Sequence, residues 1–274
     1  MPDLLPLFLT AFLYAGLGAY SWRGLWLEKN TATAPQAWEK PAILVPLLLH
    51  IWLLLQLIVQ PDGIKLGVGQ AVSAIAWLTV LVYWLGSLRN NLEGLQGFVL
   101  PFAAISLAAP SLFPATHTLL HTEEALFKVH LFIAILAYSL FTIAAMHALL
   151  MAVAERRLHS KALSPLSTLL QRLPPLLTME HLLFRILWAG FTLLTLTLLS
   201  GMLFSEELFG KALQLSHKTI FAIISWGIYA ALLGGRLRYG WRGRIAIRWT
   251  LSGFMALLLA YIGSKFVLEI ILGR

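Results

Sequence analysis

The chain has 274 residues and a formal charge of +8, yet only 12% of it is charged while 59% is hydrophobic, with a mean hydropathy of +0.81. Soluble domains are about a quarter charged, so the composition excludes an ordinary water-soluble domain. The absence of cysteine excludes disulfides, thiolate metal sites and thiol redox chemistry within this chain.

A hydrocarbon core of about 30 Å takes roughly 20 apolar residues per helical crossing. Eight stretches qualify: Leu4 to Tyr20, Pro41 to Gln60, Leu66 to Leu88, Gly94 to Leu112, Ala125 to Val153, Leu182 to Phe204, Thr219 to Leu233 and Ala246 to Ile270. Strands of a membrane barrel would alternate over about ten residues between turns, whereas these runs are continuous. The expected fold is therefore an all-α polytopic bundle of about eight transmembrane helices, a single transmembrane domain over 1–274. Basic residues sit in the short connections instead of one patch, which reads as topology and not as nucleic-acid binding. Lys and Arg after helices one, three, five and seven outnumber those on the other side by about two to one. The odd connections thus face the cytoplasm of a bacterium, and both termini the periplasm.

The first run has Asp3 ahead of it and Tyr20-Ser21-Trp22-Arg23 behind it, which is not a signal-peptide cleavage pattern, so it is expected to remain as helix one. Helix two places His50 about mid-bilayer, where a polar group is costly enough to face the interior and hold a partner; a structural and a functional role are both open. Helix four carries Pro101 and ends at Pro110 and Pro114, so it should be short or kinked. Helix five has His130 in its first turns. Ala134, Ala137, Phe141, Ala144 and Ala148 share its face, a stripe that either permits close helix approach or leaves room for a flat ligand below the histidine. His147 lies roughly 25 Å further along and points elsewhere, so it shares no ligand plane with His130.

After helix five, Ser164-Pro165 and Pro174-Pro175 flank Leu166 to Leu173, expected to be a short amphipathic segment on the inner face. Helix six holds Arg185 about two turns in. Helix seven starts at His217, with Ser216 placed to cap it. The basic run Arg236 to Arg248 that follows reads as an anchor for anionic headgroups or as a protein-docking site. Trp22, Trp26, Trp38, Trp84, Trp241 and Trp249 fall near helix ends, as an interfacial aromatic belt requires. His117 and His121 belong to an outer connection and are expected to be solvated.

His130 and His217 stand at comparable height near the outer surface. Two neutral imidazoles facing one another can clamp a haem iron, and the porphyrin body suits a lipid-level pocket. The alternative for each is a bond to headgroups, water or a neighbouring helix, and spacing alone does not separate the two. Arg185 would then either snorkel to the inner surface or meet a haem propionate.

Three blocks between about Phe127 and the C-terminus add to this. The first is His130 with Leu136-Ala137-Tyr138 and Glu155-Arg156-Arg157-Leu158. The second is Phe184-Arg185, Gly190-Phe191, Leu193-Leu194-Thr195 and Ser200-Gly201. The third is His217-Lys218, Trp226, Gly240-Trp241-Arg242-Gly243, Gly253-Phe254 and Tyr261-Ile262-Gly263. In this order they resemble the CcsA/ResC-type cytochrome c assembly family of haem-handling membrane proteins, and within it the shorter inner-membrane members of YpjD type. The resemblance implies presentation of haem at the outer surface for attachment to apocytochrome c thiols, haem b as the cofactor, and outer-side histidines as iron ligands, the first of which His130 matches. Where the family carries a tryptophan-rich signature ending Trp-Asp-Pro-Lys, Leu208 to Lys218 here has no tryptophan, and Ser216-His217-Lys218 replaces the last three residues. The second outer histidine expected after the final helix is absent from Leu272-Gly273-Arg274. His217 is then a substitute ligand, and the expectation is a haem-binding accessory protein of the inner membrane that works with the cytochrome c maturation machinery and catalyses nothing by itself. Two rivals stand beside it: a transporter of a small solute or ion, suggested by His50 and Pro101, and a membrane scaffold or regulator contacting a partner through Arg236 to Arg248.

Overall fold

The structure, a computed structural model, describes residues 4–26, 38–61, 63–88, 95–115, 124–158, 175–209 and 217–260; the side chains of 22–26, 157–158, 204–209 and 217 lie outside that description. The described residues are all-α apart from one two-rung hairpin. Six described helical segments are long and apolar enough to cross a membrane: Leu4–Ser21, Glu39–Ile58, Val68–Ser87, Ala125–Arg156, Leu176–Leu203 and Lys218–Tyr239. Two further expected crossings are shorter where described. The fourth is Gln96–Leu112, and the eighth runs from Arg244 to Leu258 before passing out of the described residues. The expected amphipathic segment Leu166 to Leu173 and both outer-connection histidines, His117 and His121, lie outside them as well.

Two compact units divide the chain, one comprising Met1–Thr118 with Leu149–Met179, the other Leu119–Ala148 with Glu180–Arg274. The first unit is built from α1 (Leu4–Trp26), α2 (Glu39–Ala42), α3 (Leu44–Ile58), α4 (Val68–Ser87), α5 (Gln96–Ser106) and α6 (Ala109–Leu112). Its centre is α4, most of whose side chains are buried. Between α3 and α4, β1 (Val59–Gln60) pairs antiparallel with β2 (Gly63–Ile64), Val59 opposite Ile64; Gly63 turns the chain at φ 120°, a conformation costly for any other residue. The sequence reading had run the helix through Gln60.

Close backbone approach explains Gly69. A Cβ there would stand 2.3 Å from the carbonyl oxygen of Ala109 and 2.6 Å from that of Phe113, so α4 packs against α6 only with hydrogen at this position. The fourth crossing is short, as expected. Pro101 sits inside α5, and the helix stops at Leu107–Ala108, ahead of Pro110 in the first turn of α6. The ring of Pro110 is tolerated at a helix start, where its missing N–H costs nothing.

In the second unit, α7 (Ala125–Leu158, as far as Ala148), α8 (Leu176–Phe209, from Glu180), α9 (His217–Tyr239) and α10 (Arg244–Leu258) pack antiparallel. α8 starts six residues before the expected Leu182, which brings Glu180 into the helix. The pairing of α7 with α8 is fixed at two levels. His130 bonds Ser200 near one end, and eleven residues further along α7 the ring of Phe141 lies against Gly190. Phe141 also stacks on Tyr229 of α9, with centroids 4.1 Å apart and planes at 14°. Tyr138 Oη donates to the carbonyl of Leu257 at 2.9 Å and Ser225 Oγ to that of Gly253, tying α10 to α7 and α9. Along the alanine face of α7, Ala137, Phe141, Ala144 and Ala148 are at most 1% exposed, while Ala134, one turn from His130, is only partly buried. The four buried residues form a tight helix contact, and the slot for a flat ligand at that depth is filled by the Phe141–Tyr229 stack.

Candidate functional site

His130 lies on the second turn of α7, a partly buried residue rather than one open to lipid. Its Nδ1 is 2.7 Å from Ser200 Oγ on α8, and its Cε1 rests over Gly201, at van der Waals distance from where a Cβ would be. The ring is thus held by one polar bond and seated against bare backbone. Ser200 bonds back to its own helix, 2.7 Å from the Leu196 carbonyl. Five residues earlier, about 140° around α8, Thr195 bonds to the Phe191 carbonyl and accepts Trp226 Nε1 at 2.9 Å from α9. The Phe191 ring stacks on Trp226, 5.5 Å between centroids. His217 is the first residue of α9, as its sequence position suggested; its side chain and Ser216 lie outside the described residues.

The other sequence candidates stand apart from this site. Arg185 is exposed on α8, and fifteen residues of continuous helix separate it from Ser200, about 22 Å at 1.5 Å per residue. Arg185 thus lies about four turns of α8 from the level of His130. His50 belongs to the first unit, fully buried in α3. Its Nε2 is 2.9 Å from Ser73 Oγ on α4, and Tyr14 of α1 meets its ring edge-on, 5.7 Å between centroids. The expected partner is therefore present. His50 Nδ1 and the Tyr14 hydroxyl, both buried, have no hydrogen-bond partner among the described residues; the same holds for Gln70 Oε1, Thr79 Oγ1 and Gln96 Nε2 in this unit. Among the described residues no group of three or more His, Asp or Glu is arranged to hold a bare metal ion.

The basic run Arg236 to Arg248 proves to be two different things. Arg236 Nη1 bonds Glu180 Oε1 at 2.6 Å and the Trp241 carbonyl at 3.1 Å, and its guanidinium lies over the Phe184 ring at 4.6 Å. Glu180 Oε2 accepts the Gly243 N–H at 3.2 Å. The carboxylate therefore clasps the turn between α9 and α10, whose glycines Gly240 and Gly243 take φ 66° and 53°. Trp241 folds back onto Gly235 and packs on Trp249. Arg238, Arg242, Arg244 and Arg248 are exposed, Arg242 with its Nε 4.0 Å from Glu180 Oε1. Sequence reasoning missed Glu180, a lone acid at the edge of an apolar run whose meaning comes only from the arginine brought beside it. It also missed Ser200 as a partner of His130, although Ser200-Gly201 is one of the motifs singled out.

Whether these residues suit a haem can be asked of His130 directly. An imidazole fixed through one ring nitrogen and packed on a glycine is the arrangement that axial ligation by the other nitrogen uses. The residues present fit.

Comparison with known proteins places these observations. The family model described as cytochrome C assembly protein matches residues 42–272. The inner membrane protein YpjD of Escherichia coli strain K12 is 31% identical over 255 residues, covering 89% of this chain and 91% of that protein. The cytochrome c biogenesis protein CcsA of Prochlorococcus marinus strain MIT 9515 is 37% identical over 89 residues, 32% of this chain and 28% of its own. CcsA of Trichormus variabilis is 34% identical over 102 residues, 37% of this chain and 29% of its own. No solved structure matches. With a family match over most of its length and a full-length relative of that identity, this chain belongs to the cytochrome c assembly protein family.

Proposed function

We propose that this chain is a haem-binding protein of the bacterial inner membrane that assists cytochrome c assembly, holding or presenting haem b near the periplasmic face with His130 and His217 as axial ligands. It crosses the bilayer eight times as one transmembrane domain with both termini periplasmic, which puts the start of α7 and the end of α8 at the outer surface. The observation that carries the reading is the seating of His130 by Ser200 and Gly201, inside the region matched by the family model. When bound, haem supplies the group to be attached to apocytochrome c thiols; the chain, having no cysteine, supplies the hold on it, and partners of the maturation machinery supply the rest. His130 and His217 would donate imidazole lone pairs, and the Phe141–Tyr229 stack closes the contact of α7 with α9 about three turns along from His130.

The test is the visible spectrum of protein purified in mild detergent with haem supplied. A Soret band is expected in the unmodified protein, and its loss in His130→Ala and in His217→Ala. An unmodified protein without the band overturns the reading. A second reading, passage of a small solute or ion through the first unit, is supported by the unpartnered buried atoms of Tyr14, His50, Gln70, Thr79 and Gln96. Polar groups at membrane depth line pathways when they do not pair with one another. Solute flux in proteoliposomes that falls in His50→Leu, without a haem spectrum, would favour it.

A further inference from the structure

The hydrogen bond between His130 and Ser200 has a direction, and the direction decides which ring nitrogen carries the lone pair. A hydroxyl has one proton to give. Ser200 Oγ lies 2.7 Å from the Leu196 carbonyl and 3.1 Å from that of Thr197. Carbonyl oxygens only accept, and two oxygens at 2.7 Å without a proton between them repel, so the Ser200 proton is spent on its own helix. What faces His130 Nδ1 at 2.7 Å is therefore a lone pair of Oγ, and the bond forms only with the proton on Nδ1.

The same helix shows the pattern with a partner whose role is not in question. Thr195 Oγ1 is 2.8 Å from the Phe191 carbonyl and takes Trp226 Nε1 at 2.9 Å. An indole N–H can only donate, so Thr195 acts as acceptor with its proton turned back into α8. Thr195 and Ser200, about 140° apart around α8, thus each present a hydroxyl oxygen as acceptor for a ring N–H of a neighbouring helix. A neutral imidazole has one N–H; with it on Nδ1, Nε2 has the lone pair.

We infer that Ser200 is a positioning residue for His130, holding the imidazole as the Nδ1–H tautomer and turning the lone pair of Nε2 toward a metal. This rests on the reading of His130 as a haem ligand. Ser200 touches neither iron nor porphyrin; it acts through the ring. Outer partners of ligating histidines typically change metal affinity about 10–100-fold when removed, and Ser200→Ala is expected to weaken haem binding within that range. Ser200→Thr keeps a hydroxyl that bonds back to the helix and is expected to bind haem as the unmodified protein does.

The decisive experiment does not need haem. Full-length protein labelled with 15N-histidine is examined by NMR in lipid without haem, the His130 signals being those lost in His130→Ala. The expected result is a protonated Nδ1 and an unprotonated Nε2, a shift toward the Nε2–H form in Ser200→Ala, and its reversal in Ser200→Thr. An Nε2–H tautomer in the unmodified protein, or a tautomer indifferent to Ser200→Ala, overturns the inference; so does unchanged haem affinity in Ser200→Ala. A haem band retained in His130→Ala sinks the ligand assignment and the positioning role with it, whatever the tautomer. Failure of the NMR result with the band lost in His130→Ala sinks the positioning role alone.

Discussion

Replacing Glu180 with alanine should open the turn between α9 and α10. Glu180 is 8% exposed at its side chain and Arg236 16%, so the pair is shielded from most of the screening that makes surface ion pairs weak. Removing one partner of a buried pair costs about 3–5 kcal/mol, because the other charge is left without compensation. Arg236 keeps two contacts in the variant, the Trp241 carbonyl and the Phe184 face. Together these retain about 1–2 kcal/mol. The Gly243 N–H loses its acceptor, which adds about 1 kcal/mol to the loss. The net expectation is a destabilisation of about 2–5 kcal/mol for Glu180→Ala, and less for Glu180→Gln, whose single carbonyl oxygen still serves one of the two donors. The assay is reversible unfolding in mixed micelles followed by tryptophan fluorescence, on Glu180→Ala, Arg236→Ala and the double variant. The double variant should be more stable than the sum of the single losses implies, since deleting both charges leaves neither stranded. Additive single effects, or a Glu180→Ala protein within about 0.5 kcal/mol of the parent, would show that the clasp contributes nothing.

Three further outcomes follow from the same geometry. Ser73→Ala leaves the buried His50 Nε2 without its bond and should cost about 1–3 kcal/mol, most of it recovered when His50→Leu is added, because removing both partners is nearly neutral; the unfolding midpoints of the two variants decide it. Phe141→Ala empties the space between Gly190 and Tyr229 and should cost about 3–5 kcal/mol, a loss of expression or midpoint that Phe141→Leu should largely spare. Since the chain has no cysteine, Asp3→Cys and Arg238→Cys each give a single thiol. An impermeant maleimide added to intact cells should label the first, and the second only after permeabilisation; the opposite pattern would invert the topology.

The membrane class was legible because the bilayer imposes it: continuous apolar runs cannot be hidden elsewhere, and each must satisfy its backbone as helix. Element ends were less so. The hairpin at Val59–Ile64 was missed because its short strands sit on the end of an apolar run, and the fourth run, taken as one stretch to Leu112, is interrupted ahead of Pro110. His130 was visible as a candidate because a histidine in the first turns of an apolar run stands out by its depth. Ser200 was not, because hydroxyls that bond back to their own helix are common in such segments and carry no signal of a partner.

The residues alone thus settled solvent, helical class and the short list of histidines, all properties of single segments read against hydrocarbon. Only tertiary contact decided what those groups do. It chose a tight aromatic joint over a ligand slot on the alanine face of α7, turned Arg236 inward to Glu180, carried Arg185 about 22 Å from the level of Ser200 along α8, and set a serine from α8 against His130. Each of these depends on which residues of another helix arrive at the same level, and that register is written in side-chain packing between segments rather than in the order of residues within any one of them.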